Sequence, residues 1–208
     1  MFNILYKEFV VQRTVILAYA VVAILFITQL IRVDGPMAVI SMLAMFFTFG
    51  TAAHEDKNNS HVLLNSLPVA RKEIVTAKYV FHIAFGICLV GLTFIYRTVI
   101  GALPKDAALW QYVIAVTVIV WFVSVFFPMY FWLGPRFVQI GMIVLLIVMF
   151  TALPMVYNLG VKHNFWGILE FVQSLPSFLL FVIVTAATIV LLIVSRLISV
   201  WLYERKKF

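Results

Sequence analysis

Charge is scarce in this chain: 11% of its 208 residues are Asp, Glu, Lys or Arg, whereas 65% are hydrophobic. A soluble domain carries about 25% charged residues, and so few could not cover a globule and keep it in solution. That excludes a soluble fold and makes lipid the solvent. Cysteine is nearly missing too. Cys88 is the single thiol, so no intramolecular bridge can form, and it says nothing about redox compartment.

Several chemical signatures are also absent. The chain has no G-x-x-x-x-G-K-[ST], so it lacks that means of cradling nucleotide phosphates. It has no G-x-S-x-G and no H-E-x-x-H, and His54, His61, His82 and His163 lack the spacing of a zinc site. A membrane-embedded hydrolase is thereby disfavoured. Glu55 and Asp56 are adjacent, but neighbours on a helix point about 100° apart and do not make a cooperating acid pair.

What is present is apolar length. Six charge-free runs of 18 residues or more occur: Thr14 to Ile31, Gly35 to Ala53, Tyr79 to Tyr96, Ala107 to Pro135, Phe137 to Val161 and Phe171 to Ser195. At 1.5 Å per residue, 18 residues reach about 27 Å, close to the roughly 30 Å hydrocarbon core. A transmembrane barrel would instead alternate apolar and polar over about ten residues, and Val113 to Trp121 is almost wholly apolar. The expected fold is all-α: one polytopic transmembrane domain of six helices, at 14–33, 35–53, 74–97, 109–133, 136–158 and 177–201. The first run exceeds a signal-peptide h-region and has no close small-residue cleavage site, so it is expected to stay as a span.

An even number of spans puts both termini on one side. With the termini inside, eleven of the fifteen Lys and Arg residues fall on the inner face and four, Arg32, Arg97, Lys105 and Lys162, on the outer. The positive-inside rule therefore places both termini in the cytoplasm. The same count accounts for the net charge of +7 without nucleic acid as a partner.

Three segments lie outside the spans. In 1–13, Phe2, Leu5, Tyr6 and Phe9 recur at i, i+3, i+4, i+7 while Asn3, Lys7 and Glu8 lie off the stripe. This pattern predicts an amphipathic helix on the bilayer surface, with an extension of the first span as the alternative. The inner loop 54–73, HEDKNNSHVLLNSLPVARKE, is too long for a connector of about 2 to 8 residues. A short helix ending near Asn65, Ser66 and Pro68, then a second helical start, fits its punctuation; a solvated loop obeying the charge rule fits Arg71 and Lys72. The outer stretch 159–176 mixes Lys162, His163 and Glu170 with Phe165 and Trp166, as a short interfacial helix would.

A proton- or ion-coupled transporter needs titratable groups at depth. No Asp or Glu lies in any of the six runs, and His82, near the inner end of its span, is expected to meet a polar neighbour. Whatever moves the substrate would then draw its energy from elsewhere.

The surface helix, two spans, the E-D-K…L-L-N-S-L-P-V-A-R-K-E-I-V-x-x-K-Y loop and four further spans together resemble the membrane subunits of type-2 ATP-binding-cassette exporters. The chain is most similar to the compact bacterial subfamily that pairs with a separately encoded ATPase in peptide-toxin and antimicrobial-peptide export or resistance. The resemblance covers essentially the whole chain, and its specific part is Glu55 to Tyr79. It implies a coupling helix in the inner loop, with Glu55, Asp56, Lys57, Val62, Leu63, Leu64, Ser66, Leu67, Pro68, Arg71 and Lys72 forming or flanking the ATPase contact. Gly134, Pro135 and Arg136 would make a second contact or a plain turn. It further implies a partner ATPase holding ATP and Mg²⁺, no cofactor in this chain, a second permease copy or paralogue, the bacterial cytoplasmic membrane and outward transport of an amphipathic peptide or toxin. Where the subfamily often has Ser, this chain has Ala70, which removes a capping box with Glu73 and leaves the start of the third helix open. The rival classes are an ion- or proton-coupled secondary transporter and a non-transporting membrane scaffold or sensor.

Overall fold

A computed structural model of the chain describes residues 2–31, 36–57, 70–100, 108–134 and 176–205, together with Ile140, Gly141, Ile143, Val144, Ile147, Thr151 and Met155. Six helices carry the described architecture: α1 Phe2–Val11, α2 Arg13–Ile27, α3 Pro36–Lys57, α4 Arg71–Val99, α5 Ala108–Leu133 and α6 Ser177–Arg205. No strand occurs among the described residues. A lipid solvent offers the backbone no hydrogen-bond partner, so each crossing segment must satisfy itself as a helix.

Four helical stretches are long and apolar enough to cross a membrane: Pro36–Glu55, Arg71–Val99, Trp110–Leu133 and Phe178–Arg205. Leu5–Val11 and Arg13–Ile27 meet at 73° and add a fifth if the pair is taken as one span. Most of the expected span 136–158 and nearly all of the outer stretch 159–176 lie outside the described residues. In the first expected span, 14–33, the helical part ends at Ile27; Thr28 Oγ1 donates to the Ile24 carbonyl at 2.7 Å and Gln29 adopts a left-handed φ of 57°.

Apolar burial drives little association between helices already in lipid, so close packing and hydrogen bonds hold the bundle. At its centre Phe47 of α3 is fully buried. It stacks on Phe85 of α4 with ring centroids 3.7 Å apart and meets Tyr19 of α2 edge-on at 5.6 Å. Phe126 of α5 joins the same core through Phe49 and Phe122. Gly86 lets α4 approach α5: a Cβ there would sit 2.7 Å from Ile119 Cγ2.

α5 and α6 run parallel, since Trp110 meets Phe181, Trp121 Nε1 donates to Thr188 Oγ1, and Phe131 meets Tyr203. Pro128 inside α5 can donate no backbone hydrogen bond to the carbonyl four residues earlier, that of Ser124. The hydroxyl of Ser195 on α6 donates to that carbonyl instead. Its one hydrogen is thereby used, so Tyr79 of α4 donates to Ser195 Oγ at 2.6 Å; Ser199 Oγ lies 2.8 Å from the same phenol oxygen. Helix-breaking residues are tolerated in membranes when neighbours re-satisfy the freed group in this way.

Candidate functional site: a buried charge cluster at one end of the bundle

Three pairs of polar residues four apart meet here: Glu8 on α1 with Gln12 at the bend that follows it, Thr51 and Glu55 on α3, Lys78 and His82 on α4. Residues i and i+4 lie on one helix face, and the fold turns these three faces toward one another. Glu8, Glu55 and Lys78 are each 3% exposed, His82 4% and Gln12 0%. The Lys78 ammonium donates to both carboxylate oxygens of Glu55 and lies 3.7 Å from Glu8 Oε1. Tyr130 Oη of α5 donates to Glu55 Oε2 at 3.2 Å. Gln12 Nε2 reaches the Thr51 carbonyl and Glu55 Oε1, each at 3.4 Å. His82 donates from Nδ1 to the Lys78 carbonyl at 2.7 Å, while its Nε2 meets the Thr51 hydroxyl at 2.8 Å.

Taking these charges out of water is costly, and only close pairing offsets the desolvation. Burial pushes the Glu8 carboxyl above the usual carboxylate range; Lys78 opposes that shift and Glu55 reinforces it. Burial likewise lowers Lys7, with Glu8 opposing.

The orientation of α1 follows from the cluster. Glu8 and Gln12 face the bundle, while Tyr6 and Phe9 point outward, 66% and 54% exposed. A helix occupies 2–11 of the stretch expected as a surface helix, and Tyr6 and Phe9 of its apolar stripe face away from the protein. Arg13 begins α2 at the far side of the bend.

The residues expected to dock a partner fare differently. Glu55 is enclosed by the bundle, where the Lys78 ammonium neutralises it, which is consistent with a place flanking a partner contact and not within it. Asp56 and Lys57 are the last two residues of α3; their side chains, and all of Val62, Leu63, Leu64, Ser66, Leu67 and Pro68, lie outside the described residues. Arg71 and Lys72 are exposed at the start of α4. Arg71 Nη1 donates to the Glu204 carbonyl at 2.8 Å and to the Tyr203 carbonyl at 3.5 Å, a cation on the unsatisfied carbonyls closing α6. Gly134 closes α5 with φ 85°, its N–H donating to the Tyr130 carbonyl at 3.1 Å; glycine takes that left-handed conformation without strain. Pro135 and Arg136 lie outside the described residues.

Ala70 occupies the N-cap of α4 at φ −63°, ψ 131°, with no side-chain cap, and Glu73 stands at the third helical position. The Glu73 N–H donates to the Ala70 carbonyl at 2.9 Å; a serine hydroxyl would add a second acceptor for it while Glu73 reaches back, completing a capping box. Ala70→Ser is therefore expected to stabilise the protein by about 1 kcal/mol, read as a higher unfolding midpoint in detergent; an unchanged or lower midpoint would count against this geometry.

Reasoning from sequence found the thin inventory of charges within the runs and missed this cluster. Glu8, Glu55 and Lys78 sit just beyond the ends of charge-free runs, where they look like ordinary flanking charges. The three i, i+4 polar pairs were the available signal. Among the described residues, no group of three or more His, Cys, Asp or Glu could hold a metal ion.

The family model described as "ABC-2 family transporter protein" matches residues 3–204. No curated protein and no solved structure matches the chain.

Proposed function

The chain belongs to the ABC-2 transporter family, a family of multi-pass membrane transport components, and we propose that it is the permease subunit of an ATP-driven exporter. The family match over nearly the full length carries this reading. Two such subunits, identical or paralogous, enclose a path across the bacterial cytoplasmic membrane, with all termini in the cytoplasm. A separate ATPase binds ATP and Mg²⁺ and seats against the connection between α3 and α4. The substrate is an amphipathic peptide or toxin, moved outward, in keeping with spans that offer aromatic and aliphatic side chains. The six-span arrangement is supported by the parallel run of α5 and α6, since a chain joining parallel neighbours has to return the length of the bundle.

The bracing of α3 to α4 supports a mechanical role for the connection. Glu55 near the end of α3 and Lys78 in the second turn of α4 are ion-paired, so the helices on either side of the connection are fastened together. A push on it would then displace both as one rigid body. Leu63→Asp with Leu64→Asp is expected to abolish co-purification of the ATPase while the permease stays folded, because a charge in an apolar contact is left unpaired. Undiminished recovery of the ATPase would overturn the docking assignment.

The buried carboxylates give a proton-coupled secondary transporter one observation in its favour. They gather at one end of the bundle, beside α1 and the ends of α3 and α5, whereas a relay needs groups through the depth of the membrane. Gradient-driven uptake by liposomes holding this chain alone would establish that rival; dependence on the ATPase would reject it.

A further inference from the structure

The cluster at the junction of α1, α3 and α4 holds two carboxyl groups and one ammonium, all within the bundle. Lys78 is committed to Glu55, donating to both of its oxygens. It approaches Glu8 Oε1 at the longer distance of 3.7 Å. Among the described residues, no hydrogen-bond donor reaches Glu8 Oε1 or, one turn on, Gln12 Oε1. Gln12 spends its two amide hydrogens on the Thr51 carbonyl and Glu55. A buried carboxylate oxygen without a donor, in a cluster of two carboxyl groups and one enclosed ammonium, marks a missing hydrogen.

We propose that the Glu8 and Glu55 carboxyl pair is a proton-binding site that holds one shared proton, and that this proton fastens the surface helix α1 to the bundle. With it, the cluster is neutral: one carboxylate, one carboxylic acid, one ammonium. The acid's O–H lies between the two carboxyl groups, as in other carboxylate pairs that cannot both ionise at short range. Without it, a net negative charge is enclosed, and the member that can leave is Glu8, because α1 is joined to α2 only through the bend at Gln12. The ionisable groups that act on Glu8 are Lys7 on its own helix, Glu55 on α3 and Lys78 on α4; His82 of α4, Tyr130 of α5 and Tyr203 of α6 face Glu55 or Lys78. Lys7 is half-buried, and His82 is occupied by Thr51 and the Lys78 carbonyl.

The sign follows from the Glu8 carboxyl, which burial holds above its ordinary range. A group whose folded pKa is raised contributes stability that is fully present below the unfolded value and lost as pH rises through the folded one. Docking of α1 is therefore tight at acidic pH and loosens on alkalinisation, the proton passing to water. This goes beyond the transport reading and does not depend on it.

The test uses the full-length protein in lipid nanodiscs without an ATPase. Infrared spectra across a pH series are expected to show the carbonyl stretch of a buried carboxylic acid that disappears at alkaline pH. Spin labels replacing the outward-facing Tyr6 and Trp201, in a Cys88→Ser background, are expected to report a single distance that broadens over the same pH range. Glu8→Gln, which imitates the protonated form, should lose the infrared band and keep α1 docked at every pH; Glu55→Gln should lose the band as well. Absence of the band from the wild type, its survival in both glutamine variants, or a label distance indifferent to pH would each overturn the proposal. If Glu8→Gln fails to fold, the Glu55→Gln spectrum and the wild-type pH series still decide it.

Discussion

Replacing Lys78 with methionine is expected to lower the unfolding free energy by about 3–5 kcal/mol, the range for removing one partner of a buried ion pair. Methionine keeps the length of the side chain and removes the buried ammonium that pairs with Glu55 and approaches Glu8. Two carboxyl groups are then left enclosed with a hydrogen bond from Tyr130 and a long one from Gln12. The measurement is a denaturation series in detergent on Lys78→Met, Glu55→Gln and the double variant. The double variant should recover much of the loss, since an amide needs no counter-charge, and a strongly non-additive cycle is the signature of a direct pair. If Lys78→Met cost less than about 1 kcal/mol, as exposed pairs do, the enclosed ion pair would be wrong.

The second large effect belongs to the aromatic core. Phe47→Ala is expected to cost about 3–5 kcal/mol. Phe47 is fully buried between Tyr19, Phe81 and Phe85, and an alanine leaves a hollow that acyl chains cannot enter. Ile95, 59% exposed on α4, is the control: Ile95→Ala opens a place that lipid can refill, and should stay within about 0.5 kcal/mol. Equal losses at the two positions would mean that contact between rings adds nothing beyond what a lipid offers.

Four of the six expected spans answer to helices long and apolar enough to cross a membrane, and these were legible because one constraint dominates: a backbone in hydrocarbon must hydrogen-bond to itself over about 20 residues. Charge-free length alone locates α3, α4, α5 and α6, although α4 starts at Arg71 rather than near 74. The bend at Gln12 was not legible. Residues 2–27 contain neither Pro nor Gly, and a 73° turn without a helix breaker leaves no mark in local preference. Periodicity picked out the apolar stripe of α1 and could not say which way it faces, because Glu8 is held inward by Lys78, which lies 70 positions further along the chain. The charge cluster was hidden for the same reason. Polar pairs four apart are common on solvated faces, and only the packing of three helices distinguishes an enclosed pair from a wetted one.

α1 wears its oil outside and its ions inside, the reverse of what water would ask of a helix. Peeling it from the bundle would strand a carboxyl group among acyl chains, and lifting it from the lipid would wet Tyr6 and Phe9. Neither departure is cheap while Glu8 keeps its proton; once that proton is lost, α1 is free to swing about Gln12, as a door moves on its post.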